Sequence, residues 1–552
     1  MNLLQILDDN LINYIMKFLD DFSIVMFLSC NKILRNYINL DNCDFTFNGI
    51  HSYYSIYKLP YYHKFTRINF LCINTPIPDG VTHLTLFDNQ CDHIPISVKK
   101  IILGEDYNNL GNELPKNLKY IRFGHKFNQP INEYIPKTVK KIEFGRDFNQ
   151  PINECIPVNV KYLKFGCDFN QPINECIPDS VKKIIFGVNF NQNICGCIPT
   201  NIRELEFNGT YHESINGTIS DCIKNSNKKS LQIINLKIYS LVACSNNCIP
   251  KSVKYLTIGF SNNLNIPGLI PNNVTHLTFE NNIIIEKNTI PDSVTHLTFG
   301  TYFDRDIKNC IPNSVTHLTF GHSFNQNIKD CIPDSVTHLT FGRNFDYDIK
   351  DCIPNSVIHL TFGHNFSQDI KGCIPASVTH LTFGDYFNQD IKGCIPASVT
   401  HLTFGWFFNQ DIKGCIPNSV IHLTFGHNFS QDIKGCIPKN IKYLTLGVNF
   451  NQPIINAIPE NVTHLIFGNF FNQPINNAIP KSIIYLEFGD AFNHPIKGHI
   501  PENVKHLLLG CMFNQNLINV IPKNIKHLRL EKSLFEKYKK YIANDIIISF
   551  CN

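Results

Sequence analysis

Ile311-Pro312-Asn313-Ser314-Val315-Thr316-His317-Leu318-Thr319-Phe320-Gly321-His322-Ser323-Phe324-Asn325-Gln326-Asn327-Ile328-Lys329-Asp330-Cys331 is one unit of the chain, and the next begins at once with Ile332-Pro333. The proline recurs every 21 residues, at 312, 333, 354, 375, 396, 417, 438, 459, 480, 501 and 522, and an earlier run sits at 115, 136, 157, 178 and 199. A period in this range signals a solenoid, propeller or array. One such unit is too short for a four-stranded propeller blade, so it is one coil of a solenoid. Val315–Phe320 carries the strand signal, with Leu318 and Phe320 alternating with His317 and Thr319. Gly321 is expected to end the strand through its freedom of backbone angle. Phe324 and Ile328 return apolar groups to the core, and Ile311-Pro312 makes the corner.

Val315, Leu318 and Phe320 match the L-x-x-L-x-L spacing, so the unit is close to a leucine-rich repeat in outline. Asn344, Asn365, Asn428 and Asn449 occupy the slot where that pattern carries asparagine, but Ser323, Tyr386 and Phe407 do not. The asparagine's role is expected to pass to the Asn of the Phe-Asn pair. We count 22 strands from Leu84-Thr85-Leu86 to Leu528-Arg529-Leu530, a stack of roughly 100 Å at about 4.8 Å per strand. The step shortens between Pro78 and Pro95 and between Pro271 and Pro291. It lengthens between Pro199 and Pro250, where a polar insertion falls near 208–235.

The expected fold is thus a repeat solenoid, leucine-rich-repeat-like, with one continuous parallel β-sheet. Residues 81–530 form the solenoid and 41–80 a linker with capping coils. Residues 531–552 form a C-terminal cap around a helix at Ser533–Ala543, whose Leu534, Phe535, Tyr538, Tyr541 and Ile542 share one face. Residues 1–40 lack the repeat and predict a small all-α module. Leu11, Ile15, Phe18 and Leu19 share one stripe, Ile24, Phe27 and Leu28 a second, and Ile33, Leu34, Tyr37 and Ile38 a third.

The chain has 552 residues, of which 43% are hydrophobic and 17% charged, enough apolar content for an extended core. The net charge of +4, from 49 Lys+Arg against 45 Asp+Glu, argues against a reader of bulk nucleic acid. No apolar run is long enough for a membrane helix. The start, Met1-Asn2-Leu3-Leu4-Gln5, lacks a basic n-region, so no signal peptide and a cytoplasmic location are expected. The 21 cysteines are then expected to be thiols.

Three ladders stand out. His276, His296, His317, His338, His359, His380, His401, His422, His464, His506 and His527 hold one strand position. A tetrahedral metal site needs convergent ligands, and one His per coil diverges, so stacking on a solvated face is expected and no metal or cofactor. Cys310, Cys331, Cys352, Cys373, Cys394, Cys415 and Cys436 precede Ile-Pro, but Ala457, Ala478 and Val520 share their slot, which marks a small buried residue. Thr298, Thr319, Thr340, Thr361, Thr382, Thr403 and Thr424 suit a wet strand face. In the first block the strand positions are more varied. Tyr120, Arg122, Lys141, Glu143, Tyr162, Lys164 and Lys183 are therefore the expected partner-binding surface. No phosphate loop, carboxylate pair or nucleophile triad stands out, so no enzyme is expected.

Phe127-Asn128-Gln129-Pro130-Ile131, Phe148-Asn149-Gln150-Pro151-Ile152 and Phe324-Asn325-Gln326-Asn327-Ile328, each followed by Ile-Pro, resemble the FNIP repeat over most of residues 75–530. Ile15-Met16-Lys17-Phe18-Leu19-Asp20, then Cys30-Asn31-Lys32-Ile33-Leu34-Arg35, resembles the F-box, although Asp8-Asp9-Asn10 stands where that family carries Leu-Pro and the third helix has no Trp. This order of modules is typical of proteins of social amoebae and amoeba-infecting giant viruses. The resemblance implies a substrate-recognition subunit of a cullin–RING ubiquitin ligase, in the host cytoplasm if the source is viral. Leu11, Ile15, Phe18, Leu19, Ile24, Phe27 and Leu28 would dock the Skp-type linker, and the solenoid would hold a substrate protein. The alternative is a structural scaffold in which residues 8–38 only cap the solenoid.

Overall fold

The computed structural model describes residues 46–59, 61–72, 76–87, 93–108, 113–192, 197–209, 233–238, 249–259, 270–543 and 545–551, with Met16, Asp21, Ser23, Ile24, Ile194 and Gly268. The chain forms two compact units, 1–259 and 260–552. Each is a parallel β-solenoid in which one short strand per coil pairs in register with the strand of the coil before.

In the first unit β1 (Phe47–Ser52) pairs with β2 (Phe65–Cys72), and β2 with β3 (His83–Leu86). Parallel pairing continues through β4 (Lys100–Leu103), β5 (Tyr120–Arg122), β6 (Lys141–Glu143), β7 (Tyr162–Lys164) and β8 (Lys183–Phe186) to β9 (Glu204–Phe207). β10 (Asn235–Ile238) then pairs with both β9 and β11 (Tyr255–Ile258), so the sheet keeps its register although most of the expected insertion near 208–235 lies outside the described residues. In the second unit the strands run from β12 (His276–Phe279) to β24 (His527–Leu530), each paired with the next.

The expected strands from Leu84 to Leu530 are all present as β3 to β24. Two long strands, β1 and β2, precede them where a linker and capping coils were expected. A short helix, α1 (Tyr53–Ile56), lies between them. Further on, the expected helix is split into α2 (Lys532–Tyr538) and a 3₁₀ turn (Lys539–Tyr541). The free edge of β24 is paired by another strand, β25 (Ile547–Phe550), rather than left to the helix alone. A strand satisfies the row of edge N–H and C=O groups directly, which a helix packed nearby cannot do.

The core is a double column of phenylalanines. Phe320 and Phe324 lie 4.1 Å apart within one coil, while Phe320–Phe341 and Phe324–Phe345 stack at 5.5 and 6.0 Å between coils. Val315, Leu318, Phe320, Phe324 and Ile328 are all buried, as their spacing predicts. The Asn of the Phe-Asn pair does the cross-coil bonding expected of it. Asn149 Oδ1 accepts from the backbone N–H of Asn170 (2.9 Å) and from Gln171 Nε2 (3.0 Å), and Asn170 repeats this with Asn191 and Gln192. A serine ladder adds to it: Ser314 Oγ donates to Val294 O at 2.7 Å, and Ser335 to Val315 O at 2.7 Å.

The glycine after each strand has a different reason from the one expected. Gly321 and its equivalents have no positive φ; those lie mostly at the residue before the cysteine that precedes Ile-Pro, or before the Tyr, Thr, Ala, Val or His that holds its slot. A Cβ on Gly342 would sit 1.7 Å from the carbonyl oxygen of Gly321, and one on Gly166 only 1.6 Å from that of Gly145. Consecutive coils touch backbone to backbone there, so no side chain fits at all.

Of the helical segment, Met16 and Ile24 are each 1% exposed. Asp21 accepts from the backbone N–H groups of Asn48 (2.7 Å) and Gly49 (2.5 Å) and meets His51 Nε2 at 2.7 Å, all on β1. Burial by itself raises the Asp21 pKa, but the bonds from His51, Asn48 and Gly49 outweigh it and hold the carboxyl below its ordinary value. Leu11, Ile15, Phe18, Leu19, Phe27 and Leu28 lie outside the described residues.

Candidate protein-interaction surface

A leucine-rich-type coil turns three residues per strand outward. In the first unit these are the two residues between the buried Val139 and Ile142, namely Lys140 and Lys141, and then Glu143. Parallel registration stacks equivalent positions into columns. Tyr120, Lys141, Tyr162 and Lys183 form one column, and Arg122, Glu143 and Lys164 the next, so all seven expected surface residues share one sheet face.

Their chemistry is coupled. Lys141 Nζ lies 5.1 Å from the Tyr120 ring centre and 4.3 Å from that of Tyr162, with Lys100 at 5.1 Å from Tyr120 and Lys183 at 6.0 Å from Tyr162. Glu143 pairs with Lys141 at 2.8 Å, and Glu204 with Lys183 at 2.7 Å. Burial, then the charge of Glu143, raises the phenol of Tyr120. The same causes push Tyr162 up to about 12. Both phenols are therefore neutral hydrogen-bonding groups at physiological pH. One column of this face escaped the sequence reading: Lys99, Lys119, Lys140, Lys161, Lys182 and Arg203. Its signal was present, since each follows a buried aliphatic residue, from Val98 to Ile202.

The second unit repeats the geometry with neutral residues. His276, His296, His317 and His338 stack face to face, with 4.1 Å between successive ring centres. The stack continues through His359, His380, His401 and His422 to Tyr443. Thr316 Oγ1 lies 3.2 Å from Thr295 O and 2.9 Å from His317 Nδ1, and Thr337 repeats this with Thr316 O and His338. A hydroxyl has one proton. Given to the carbonyl, it leaves Oγ1 to accept from Nδ1–H, which assigns the neutral tautomer with Nε2 unprotonated. Among the described residues no three His, Cys, Asp or Glu side chains converge as metal ligands.

Burial first, and neighbouring histidines second, hold His296, His317, His338, His380 and His401 below their ordinary pKa of 6.5. The unfolded chain therefore binds more protons than the folded one as pH falls through 6.5, so stability is lost in that direction. The fold should therefore melt at a lower temperature at acid than at neutral pH. Thermal melts followed by circular dichroism between neutral pH and about pH 5 should show that fall, and His317→Gln/His338→Gln/His380→Gln should reduce it. An unchanged pH dependence in the triple variant would remove the stack as its cause.

The cysteine column is buried, as expected of a small residue, but not purely apolar: Cys352 Sγ–H donates to Lys350 O at 3.2 Å. Burial first, then nearby aspartates, push Cys331 and Cys352 up to about 11, so these are inert thiols. Cys72, buried on β2, is disulfide-bonded, which corrects the expectation that every cysteine is a thiol. No helix among the described residues is long and apolar enough to cross a membrane.

The FNIP repeat family matches this chain in overlapping segments that together run 108–210 and 244–533. Two FNIP repeat-containing proteins of Acanthamoeba polyphaga mimivirus are 31% identical to it, one over 133 residues and one over 123. The matches cover 24% and 22% of this chain and 30% of each relative, so the chain spans about a third of the length of these curated relatives. The crystal structure of CroV588, a circular leucine-rich-repeat protein, aligns with 31% identity and a TM-score of 0.61, covering 89% of this chain and 86% of that one.

Proposed function

This chain belongs to the FNIP repeat family, and from that premise and its strand-face chemistry we propose that it is a protein-binding adaptor that performs no reaction itself. The observation that carries this reading is the in-register stacking of outward side chains into long columns. A regular repeat sheet of this kind offers an extended docking face rather than a closed pocket.

The finer reading makes it the substrate-recognition subunit of a cullin–RING ubiquitin ligase. Residues 8–38 would dock a Skp-type linker through Leu11, Ile15, Phe18, Leu19, Phe27 and Leu28, whereas Ile24 is already buried within this chain. The face around Tyr120, Arg122, Lys141, Glu143, Tyr162, Lys164 and Lys183 would hold the substrate protein. It is supported by the F-box-like order of residues. In a purified pulldown the full chain should retain the linker protein. A Leu11→Asp/Leu19→Asp variant, shown by circular dichroism to fold, should not. Absence of binding by the folded wild type would sink the ligase assignment.

A second reading is favoured by a specific observation. Ile24 and Met16 are buried and Asp21 is tied to β1, as a capping module would require. Under it, residues 8–38 close the solenoid and the chain is a scaffold without a ubiquitin link. Failure of the pulldown together with loss of thermal stability in Asp21→Ala would favour it.

A further inference from the structure

The cation column beside the Tyr/Lys face adds little to holding the fold: of its side chains, Lys182 Nζ donates to Asn201 O at 3.4 Å. Main-chain bonds join its members coil to coil: Lys119 N–H donates to Lys99 O, Lys140 to Lys119, Lys161 to Lys140, Lys182 to Lys161 and Arg203 to Lys182, each at 2.8 Å. The side chains therefore project in single file, one per coil, at a spacing of about 4.8 Å. Lys99, Lys119, Lys140 and Lys161 are exposed, and no ion pair engages them among the described residues. Of the acids on this face, Glu143 pairs with Lys141 and Glu204 with Lys183, and Glu206 stands in the Arg122 column, with the Tyr/Lys column between it and the cations. A row of like charges at this spacing repels itself and gains from a shared counter-charge.

The same slot in the second unit shows what the fold alone asks for. There the main-chain ladder runs through Thr275, Thr295, Thr316, Thr337, Ile358, Thr379, Thr400 and Ile421, then Lys442, Thr463, Ile484, Lys505 and Lys526. Threonine or isoleucine serves the coil equally well, and lysine is scattered there, so it is the unbroken run of six bases from Lys99 to Arg203 that the coil itself does not require.

We propose that the Lys99–Arg203 column docks an acidic, Asp/Glu-rich segment of a partner protein. The proposal rests on the adaptor reading and names the chemistry of the partner it would hold. An extended acidic segment places same-side carboxylates about 6.6–6.8 Å apart, a mismatch that flexible lysine stems absorb. Nucleic acid fits less well. Single strands are held by pairing charge with bare aromatic faces, and here Lys100, Lys141 and Lys183 lie over the rings of Tyr120 and Tyr162. Duplex DNA carries a charge per ~1.7 Å of axis and calls for a broader basic surface than a single file.

The test is fluorescence anisotropy with the full chain and a labelled peptide of alternating Glu and Ser, beside a labelled oligo-dT of matched charge. Binding of the peptide should weaken with added salt and exceed that of oligo-dT. It should fall at least about tenfold in Lys119→Glu/Lys140→Glu/Lys161→Glu. Lys119→Gln/Lys140→Gln/Lys161→Gln removes the charge without adding acids and should lose part of the binding. Lys329→Glu/Lys350→Glu/Lys371→Glu makes the same charge change on exposed turns of the second unit and should bind as wild type. Tighter binding of oligo-dT, equal loss in that control, or no peptide binding at low salt overturns the proposal. Each of these outcomes leaves the linker pulldown unaffected, because the substituted coils lie apart in sequence from residues 8–38.

Discussion

Gly342→Ala should destabilise the second unit by about 3 kcal/mol or more, far beyond the usual effect of one added methyl. The new Cβ would lie 1.7 Å from the carbonyl oxygen of Gly321 and 2.3 Å from its carbonyl carbon. Both are main-chain atoms, so no rotamer change relieves the clash, and the coils must separate locally. Separation breaks the bonds that run beside it, including Asn344 N–H to His322 O at 2.9 Å. Because each coil is stabilised mainly by its neighbours, a weakened junction also divides the cooperative unit. Urea unfolding followed by circular dichroism should show a broadened or two-step transition. Gly393→Ala is the control. Its φ is +70° but nothing lies within 4 Å of the added carbon. Asp330 and Asp351 hold the same slot at φ 58° and 57°, so the cost should be only about 1–2 kcal/mol. If the two variants melt alike, the backbone-contact account is wrong.

Phe366→Ala should cost about 3–5 kcal/mol. Its ring is fully buried, 6.2 Å from those of Phe345 and Phe387 and 4.1 Å from that of Phe362. Removal leaves a cavity that the flanking coils cannot close, since their spacing is set by the main-chain ladder. Hydrogen exchange should accelerate most in the coil of Phe366 and its two neighbours. Cys373→Ala, in the same coil, should cost under about 1 kcal/mol, because Ala457 and Ala478 already fill that position in later coils. A uniform rise in exchange along the unit would show that the coils do not behave as nearest-neighbour elements.

The parts of the fold that repeat were legible, since a period of 21 and an alternation of two are direct images of coil and strand. The role of the Asn of the Phe-Asn pair in cross-coil bonding could be reasoned from its recurrence in most coils, and where it is replaced, Asp346 and Ser430 accept the same bond. The glycine's role could not. A residue kept for its backbone angle and one kept because nothing else fits look the same in sequence, and only the approach of Gly321 to Gly342 separates them. β1, β2 and β25 were missed because no Ile-Pro precedes them, and the Phe47-Asn48 pair falls within β1 rather than after a strand. For β2 the buried Ile68, Phe70 and Cys72 do alternate and could have been seen. Of the surface, Tyr120 to Lys183 stood out by departing from the monotony of the His and Thr ladders. The Lys99 column did not, because isolated lysines in a chain look like ordinary solvated charge until registration places them in file.

The bonds between coils all point along the stack, from one asparagine, serine or strand to its counterpart in the next. A pull on the two ends of such an array loads them one junction at a time, as teeth of a zipper, rather than all together in shear. Each coil that opens frees a length of 21 residues, roughly 70 Å of contour, while its neighbours stay wound. The second unit is in this sense an extensible cord, whose coils should yield in nearly equal steps and take up slack by rewinding on the coil still in place.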